Sequence, residues 1–432
     1  MLILSDKLMK SKILCLILLF QLTLTLAPLL PISTLATSNS PIIVEPGESI
    51  QEAVNNAAEG QTIYIKKGVY KIETDILINK TLTLIGEDSK QTIIDGQNTT
   101  TLILNILADN TKIQNLTIRS AEKTCGIGVQ IKDATNVEIK NNHIKNCSIG
   151  IKLRNANYST IKTNSILNNT CGILLEKSYH NQIHWNNIDQ NVKSIIIKLG
   201  SSENTFYQNN LNQIDRLDVP ENFWNTTYPM GGNHWTNYLG FDLKKGPDQN
   251  ETGSDGIGDE EYELSLGAKD HYPIIGLIQW YLAYKSENIE YYVIISNNAS
   301  EVLSFNFNPN KSLIQFTLAG VPVESNKTNL CRVQIPQQLM WTQTGSWEVT
   351  VDDTNITYTF TSDKNYTYLC FMYNYSDAKT VKIKGTHSIP EFSSNIIIVL
   401  TIIATFIIGI TVKFKNFSLE TNSRKFKNLK DP

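Results

Sequence analysis

An acidic loop beyond the middle of the chain carries several oxygen ligands at close spacing. Its candidate calcium ligands are Asp248, Asn250, Asp255, Asp259 and Glu260. A hard cation such as calcium prefers several oxygen atoms, and the glycines within residues 255–259 let the backbone wrap around it. The EF-hand pattern does not fit, because it needs flanking helices and a glutamate at its twelfth position. The loop therefore predicts either a structural calcium site or an acidic turn in water.

An aromatic cluster precedes this loop and offers a second kind of chemistry. Its ligand-binding candidates are Trp224, His234, Trp235 and Tyr238. Aromatic rings carry a large apolar face, so the cluster suits either stacking on sugar rings or burial as a plug over a preceding domain. Its position directly after a run of repeats favours the plug.

Two rows of outward polar side chains precede the aromatic cluster. One row contains Gln130, Arg154 and Glu176, and the other contains Lys140, Lys162, His184 and Tyr207. A flat polar surface of this kind suits an extended polysaccharide, which makes Arg154, His184 and Tyr207 candidates for ligand binding. The same rows also describe a plain solvated wall, and the residue types leave both interpretations open.

The element that must position these side chains is an internal repeat. Intervals of 22, 22 and 23 residues separate the matching asparagines Asn142, Asn164, Asn186 and Asn209. A period of this length indicates a solenoid, in which each repeat buries its apolar side against its neighbours. Alternating β-branched and polar residues favour strands, and the consensus of leucine-rich repeats is missing. Each repeat therefore predicts one rung of a parallel β-helix, with rungs about 4.8 Å apart.

The recurring asparagines predict a structural ladder. Asparagine tolerates the left-handed backbone of a sharp corner, and its amide can bond the same amide one rung away. We therefore expect the four asparagines to be structural and not catalytic. Gly126, Gly150 and Gly172 predict a second recurring bend, at which glycine supplies a positive φ.

The segment before the repeats predicts a cap. Residues 46–54 fit a short amphipathic helix with Ser49 as N-cap and Glu52 three residues later, which is a capping box. Such a helix covers the otherwise open first edge of a β-helix.

Several of these motifs occur together in known proteins. Residues 42–96 resemble the opening of the pectin-lyase-like right-handed β-helix superfamily, through the runs PGESIQEA, KKGVY, LTLIG and IIDG. The repeats are similar to NosD-type repeats of the carbohydrate-binding and sugar-hydrolase group. Residues 222–274 resemble the end of archaeal surface β-helix proteins, through NFW, GGNHW, DGIGD and HYP. The resemblance implies a right-handed parallel β-helix over residues 37–275, closed by an aromatic and acidic cap.

NosD proteins are associated with copper delivery, but soft metal ligands are scarce in this chain. It has 5 Met and 6 His, and His180 and His184 are separated by a strand-like segment. No CxxC spacing indicates zinc. We therefore expect no copper and no zinc. Related hydrolases use paired acidic residues on neighbouring rungs, and no such pair recurs here, so no catalytic residue is assigned.

Residues 281–388 predict a small β-sandwich, because short alternating strands are separated by turn residues. Cys331 and Cys370 lie in this region and predict a disulfide in an oxidising compartment. Three further cysteines, Cys125, Cys147 and Cys171, are expected as small wall residues stacked from rung to rung, with a disulfide among them left open.

Two apolar segments flank these domains. Residues 1–36 have the positive, apolar, small-residue order of a secretory signal peptide, and an uncleaved anchor is the alternative. Residues 393–412 are long enough to span a bilayer, and the basic tail at 413–432 then lies in the cytoplasm. Several Asn-X-Ser/Thr sequons between them permit glycosylation. These features predict an exported glycoprotein anchored at the cell surface.

The sequence thus predicts an all-β protein with a right-handed parallel β-helix, a small β-sandwich, an N-terminal signal and a C-terminal transmembrane helix. The net charge is -3 over 432 residues, and positive and negative residues are mixed along the chain, so the sequence does not predict a basic surface that binds nucleic acid. We expect polysaccharide or surface glycans as partners, together with the membrane. Two alternatives stay open: a polysaccharide lyase or hydrolase, and a non-catalytic spacer or surface-layer component.

Overall fold

The computed structural model describes residues 40–121, 125–212, 214–217, 221–286, 289–298, 301–320, 329–343, 345–373 and 377–389. The predicted signal peptide (1–36), membrane anchor (393–412) and basic tail (413–432) lie outside these residues. Within the described part of the chain, no helix is both long enough and apolar enough to cross a bilayer.

The first part of the chain is a β-helix with one short α-helix, α1 (Ile50–Asn56). Its strands are β1 (Ile42–Val44), β2 (Thr62–Ile65), β3 (Gly68–Lys71), β4 (Ile76–Ile78), β5 (Thr83–Gly86), β6 (Thr92–Asp95), β7 (Leu102–Ile106), β8 (Lys112–Gln114), β9 (Thr117–Arg119), β10 (Ile127–Lys132), β11 (Glu138–Lys140), β12 (His143–Lys145), β13 (Ile149–Arg154), β14 (Thr160–Lys162), β15 (Ser165–Leu167), β16 (Cys171–Glu176), β17 (Gln182–His184), β18 (Asn187–Ile188), β19 (Lys193–Lys198), β20 (Thr205–Tyr207), β21 (Asn210–Leu211), β22 (Ile214–Leu217) and β23 (His234–Trp235).

These strands form three parallel sheets along the axis of the β-helix. Sheet A has the order β1-β2-β5-β8-β11-β14-β17-β20, sheet B the order β3-β6-β9-β12-β15-β18-β21-β23, and sheet C the order β4-β7-β10-β13-β16-β19-β22. The register follows the sequence period, since Ile139 pairs with Ile161 and Ile161 with Ile183. All three isoleucines are fully buried in one continuous core. The predicted parallel β-helix is therefore confirmed.

Helix α1 begins as the sequence predicts. The Ser49 side chain accepts a hydrogen bond of 3.2 Å from the Glu52 backbone N–H, which satisfies one free donor of the first turn. Ile50 and Val54 face inward and join the core of the β-helix. The helix therefore packs its apolar side against the first rungs.

The predicted asparagine ladder is present, but the sharp corners are made by the residues before it. Left-handed φ angles of 51° to 56° occur at Asn141, Thr163, Trp185 and Gln208. Each of these residues directly precedes one asparagine of the ladder. The ladder amides are thus free to bond along the axis, while their neighbours turn the chain.

The predicted glycine bend is wrong. Gly150 and Gly172 lie inside β13 and β16, and neither is among the glycines with positive φ in the described residues. The matching glycine one rung earlier is Gly128, not Gly126, as the register of the sheet shows. A Cβ on Gly150 would lie 2.7 Å from the carbonyl oxygen of Gly172. Close approach of neighbouring rungs, and not backbone angle, requires glycine here.

A cap with little regular structure follows the last rungs. Its strands are β24 (Lys244–Lys245), β25 (Glu251–Thr252), β26 (Tyr262–Glu263) and β27 (Lys269–Asp270), with a 3-10 helix at Ser265–Gly267. The first two strands pair with each other, as do the last two.

The C-terminal region consists of antiparallel sheets, as predicted. Its strands are β28 (Leu277–Lys285), β29 (Glu290–Asn297), β30 (Val302–Asn308), β31 (Leu313–Leu318), β32 (Asn329–Pro336), β33 (Met340–Trp341), β34 (Glu348–Val351), β35 (Thr354–Asn355), β36 (Tyr358–Ser362), β37 (Tyr366–Tyr373), β38 (Lys379–Lys384) and β39 (His387–Ser388), with a 3-10 helix at Pro309–Lys311. Sheet D has the order β28-β29-β32-β37-β36 and sheet E the order β30-β31-β38-β34-β35. Both sheets contribute to one buried core, which makes the region a sandwich.

The predicted disulfide between Cys331 and Cys370 is wrong, because both thiols are free. In the register of sheet D, Cys331 pairs with Phe371, whereas Cys370 pairs with Arg332. Successive residues of a strand point to opposite faces, so this offset of one residue puts the two thiols on opposite sides of the sheet. Burial raises the pKa of both thiols above the ordinary value.

The sandwich packs along the β-helix through polar contacts of sheet D. The Asn210 amide donates to the Ile278 carbonyl (2.8 Å) and accepts from the Ile278 N–H (2.9 Å), as a strand backbone would. The Gln208 amide donates to the side chain of Gln334 at 2.6 Å. These contacts dock sheet D on the later rungs, at the corner between sheets A and B.

Candidate functional site

The row of Lys140, Lys162, His184 and Tyr207 predicted from the sequence is in register on sheet A. The sandwich covers its later half. His184 is 7% exposed and stacks on Tyr207 with ring centroids 4.7 Å apart. Burial, followed by the nearby Lys162 charge, lowers the pKa of His184 to about 3. His184 and Tyr207 are therefore interface residues and not parts of an open ligand-binding wall.

The earlier half of the row stays open and forms a groove. The groove has a volume of about 550 Å³ and lies between sheet A and the ends of β28 and β29. Its polar lining consists chiefly of four lysines: Lys112, Lys140, Lys162 and Lys285. We call this feature the lysine groove. It is built by both domains, so neither domain alone presents it.

Two aromatic residues line the lysine groove, Trp185 from the β-helix and Tyr292 from the sandwich. The rings of Trp185 and Tyr292 have centroids 6.0 Å apart, and both side chains are half-buried. The Trp185 indole N–H donates to the Gln208 side chain at 2.6 Å, which fixes the ring. An aromatic surface beside cationic side chains can stack on a ring and bind its polar substituents at the same time.

Glu290 is an acidic residue that lines the lysine groove, and its carboxylate is held by ion pairs and a hydrogen bond. Its carboxylate pairs with Lys140 and with Lys285, at 3.0 Å from the latter, and accepts a 3.0 Å hydrogen bond from the Tyr292 hydroxyl. Burial opposes its ionisation, but the hydrogen bonds from the two lysines outweigh that effect and lower the pKa to about 2. Glu290 is therefore a carboxylate at neutral pH and a poor proton donor.

Sequence reasoning missed the sandwich half of the lysine groove and Trp185. Trp185 occupies the corner position that holds Asn141, Thr163 and Gln208 in other repeats. A bulky residue with a left-handed backbone is costly, and such an outlier points to a tertiary role. A tryptophan at the corner position of the repeat was therefore the sequence signal that could have pointed to Trp185. Glu290 and Tyr292 gave none, since their place depends on how the sandwich docks.

The second predicted row needs a correction of register. Arg154 pairs with Lys132 and Glu176 on sheet C, whereas Gln130 pairs with Lys152 in a neighbouring row. Arg154 is exposed on this wall, and Lys152 forms a 3.0 Å ion pair with Glu176. The wall is thus flat, polar and open to solvent.

Comparison with known families identifies the repeats. The sequence model of the NosD family, described as "Periplasmic copper-binding protein (NosD)", matches residues 49–240. This span covers α1 and strands β2 to β23. The repeat region is similar to the NosD family over these residues. No curated protein sequence matches the chain.

Several solved structures match part of this chain at low sequence identity. An alginate lyase from Paenibacillus sp. str. FPU-7 is 18% identical with a TM-score of 0.36, over 40% of this chain and 66% of that chain, which is just under two thirds of its length. A DFA-IIIase from Arthrobacter chlorophenolicus A6 is 16% identical with a TM-score of 0.36, over 51% and 72%. A pectin methylesterase from Yersinia enterocolitica is 13% identical with a TM-score of 0.30, over 44% and 77%. Such low identities and TM-scores do not indicate a shared function.

The described residues do not fit the copper site that the NosD description implies. Within them, no three His, Cys, Asp or Glu side chains come close enough to share a metal ion. His180 pairs with Glu203 at 3.1 Å, and His271 pairs with Glu261. His184 has a buried Nδ1 without a hydrogen-bond partner, but the rings against it are those of Tyr207 and Trp185, which are not copper ligands. We therefore assign no copper chemistry to these residues.

The aromatic cluster forms a plug over the last rung of the NosD-type β-helix. Trp224 and Trp235 are each 1% exposed. Trp224 stacks on Phe206 at 4.4 Å, and Trp235 stacks on Tyr262 at 4.3 Å. Their ring faces are covered by protein, so the sugar-stacking interpretation of these two residues is wrong.

The two polar neighbours of the plug are also held by the protein. His234 is half-buried, its Nδ1 lies 3.3 Å from the Ile274 carbonyl, and burial lowers its pKa. The Tyr238 hydroxyl donates to the Glu260 carbonyl at 2.6 Å. Both residues close the end of the β-helix in this structure.

In the part of the chain that the structure describes, the acidic residues among the five predicted calcium ligands belong to no group of three that could share a metal ion. Asp248, Asn250 and Glu260 are exposed, while Asp255 is buried. Asp255 accepts from the Gly246 and Ile257 backbone N–H groups, and Asp259 accepts from those of Leu243 and Lys244. These carboxylates therefore order the loop by hydrogen bonds. Calcium binding stays a prediction.

Asp242, which sequence reasoning did not single out, organises the same loop. It is 8% exposed and accepts from the Asp255 N–H (3.2 Å) and the Gly256 N–H (2.7 Å). Burial, followed by the nearby Asp255 charge, raises the pKa of Asp242 from 3.8 to about 8. Asp242 is thus a buried carboxyl group that binds its proton more tightly in the folded protein.

The raised pKa of Asp242 predicts a pH-dependent stability. Between pH 4 and pH 8 the folded protein holds a proton that the unfolded chain has lost, so stability falls as pH rises through this window. Asp242→Asn resembles the protonated form and should remove this dependence. The difference in unfolding free energy between the natural protein and the variant should change by roughly 1 kcal/mol per pH unit.

Urea unfolding at several pH values measures this difference, with Asp248→Asn at an exposed position as the control. Parallel pH profiles for the natural protein and Asp242→Asn would contradict the prediction.

Proposed function

We propose that this protein is an exported cell-surface protein whose lysine groove binds glycans. The observation that carries the proposal is the groove itself, in which Trp185 and Tyr292 lie beside a row of lysines. A glycan offers apolar ring faces for the aromatic residues and polar substituents for the lysines. The description of the NosD family as periplasmic, together with the predicted signal and anchor, supports a location outside the cytoplasm.

The groove is lined by residues of successive strands of sheet A, an arrangement that suits a linear polymer. Lys140 and Lys162 are direct neighbours on adjacent strands of sheet A, so equivalent contacts repeat about every 4.8 Å. Gln114 continues the row on the next strand towards the N-terminus. A chain laid along this row meets a new polar side chain at each rung.

Replacing Trp185 by asparagine should weaken glycan binding about tenfold, because the aromatic surface is lost. Asparagine tolerates the left-handed backbone at this corner, so the substitution keeps the turn. A glycan array followed by isothermal titration calorimetry on the best ligand measures the effect.

Trp341→Ala is the matched control, since Trp341 is 37% exposed on the sandwich and lies in the two-stranded pair of β33 and β39, outside the groove. Equal binding by the natural protein and Trp185→Asn would overturn the proposed site. Chromatography of the same glycans after incubation tests the alternative of a lyase or hydrolase, since new shorter products would show catalysis.

A further inference from the structure

The carboxylate of Glu290 lies in the lysine groove as a bound anion would. Lys140 from the β-helix, Lys285 from the sandwich and the Tyr292 hydroxyl all converge on it. The side chains of Glu290 and Lys140 are only 20% and 16% exposed. Donors from two domains thus form a built site for one anionic group, and a side chain of the protein itself fills it.

The lysine groove holds more positive charge than its glutamates neutralise. Its four lysines stand against Glu290 and one further carboxylate, Glu138, which pairs with Lys162 at 2.9 Å. Four positive charges minus two negative charges leave two uncompensated. Lys112 is exposed in this lining, so part of the excess charge faces solvent. Such a cleft concentrates anions.

We infer that Glu290 is an internal competitor for the acidic groups of a linear polyanionic glycan. The inference rests on the proposed glycan binding and specifies its ligand class. A carboxylate or sulfate that reaches Lys140 must displace the Glu290 side chain, because both anions need the same ammonium group. Neutral glycans cannot make that exchange, so Glu290 selects for charged polymers while it reduces their affinity.

The ionisation of Glu290 determines what can release it. Because the two lysines hold the pKa of Glu290 at about 2 despite its burial, the group stays charged wherever a uronic acid is charged. A change of pH between 4 and 8 therefore does not open the site. Competing anions and salt do, because they act on the lysine contacts directly.

The test compares Glu290→Gln with the natural protein in the full chain. Glutamine keeps the size of the side chain and can still accept from Tyr292, but it removes the competing charge. Glu263→Gln is the matched control: it makes the same change in net charge, at a carboxylate that is 75% exposed on the cap and 3.5 Å from its lysine partner. Circular dichroism and thermal unfolding establish that both variants are folded.

Three probes separate the possible ligand chemistries: polygalacturonate for carboxylates, dextran sulfate for sulfates, and unmodified dextran as the neutral polymer. We expect Glu290→Gln to bind one of the two polyanions about threefold to tenfold more tightly than the natural protein, with Glu263→Gln unchanged. The gain should shrink as sodium chloride is raised. The probe that shows the gain identifies the acidic group.

The other outcomes overturn the inference in distinguishable ways. Unchanged or weaker polyanion binding by Glu290→Gln means that Glu290 does not compete. An equal gain in Glu263→Gln means that only net charge matters. Dextran binding as tight as polyanion binding removes the polyanionic ligand class but leaves glycan binding intact. If neither these probes nor a wider glycan array shows binding, the proposed function fails and the inference fails with it.

Discussion

Replacing Asn186 by alanine is expected to lower the free energy of unfolding by about 3–5 kcal/mol, because several buried hydrogen bonds are lost at once. The Asn186 amide donates to the Ile161 carbonyl (2.8 Å) and to the Asn209 side chain (3.0 Å). Its oxygen accepts from both the backbone and the side-chain amide of Asn164, at 2.9 and 3.0 Å. Alanine leaves all of these partners buried, and water cannot replace the missing bonds.

Denaturant unfolding followed by circular dichroism measures this loss. Asn250→Ala removes the same side chain at an exposed position and should change stability by less than about 0.5 kcal/mol. A loss below about 1 kcal/mol for Asn186→Ala would mean that the β-helix relaxes to satisfy the freed groups. The ladder would then contribute little to the free energy of unfolding.

The ladder also shows how the β-helix is closed at its end. Asn209 donates from its backbone to the Asn233 side chain at 3.1 Å, and Asn233 in turn donates from its backbone to the carboxylate of Asp270 at 2.7 Å. Asp270 therefore takes the place that the next asparagine would fill. The same carboxylate accepts from the Trp235 indole at 2.9 Å, so the end of the ladder and the aromatic plug are one unit.

The repeat architecture could be predicted from sequence because it is set by local periodicity. A period of 22 residues aligns each isoleucine with its equivalent one rung away, so the spacing of Asn142 and Asn164 already gives the register. The cap at Ser49 is local for the same reason, since a capping bond spans three residues. These features need no knowledge of how distant segments meet.

The candidate site could be predicted only in part, because it depends on contacts across long sequence separations. The row through Lys140 and Lys162 was visible, but which part of that row stays open depends on the sandwich. Glu290 reaches Lys140 from 150 residues away. The free thiols give a second example, since a shift of one residue between β32 and β37 decides whether Cys331 and Cys370 meet. No pattern within either strand reveals that register.

Arg332→Ala is expected to loosen the sandwich from the cap and to lower the free energy of unfolding by about 3–5 kcal/mol, because two backbone carbonyls lose their buried charged donor. Arg332 is 3% exposed. Its Nε donates to the Asp255 carbonyl at 3.0 Å, and its Nη2 donates to the Pro229 carbonyl. Its guanidinium lies 4.6 Å from the centroid of the Tyr368 ring.

The side chain therefore links a strand of the sandwich to the cap at Asp255 and to the segment before β23 at Pro229. Calorimetry should show one transition for the natural protein and a split or broadened transition for the variant, and limited proteolysis should cut the variant faster between the two domains. Arg154→Ala, at an exposed arginine on sheet C, should leave both readouts unchanged. Because the lysine groove needs both domains, Arg332→Ala should also weaken glycan binding although Arg332 does not line the groove. Full binding by a variant with a detached sandwich would show that the β-helix alone carries the site.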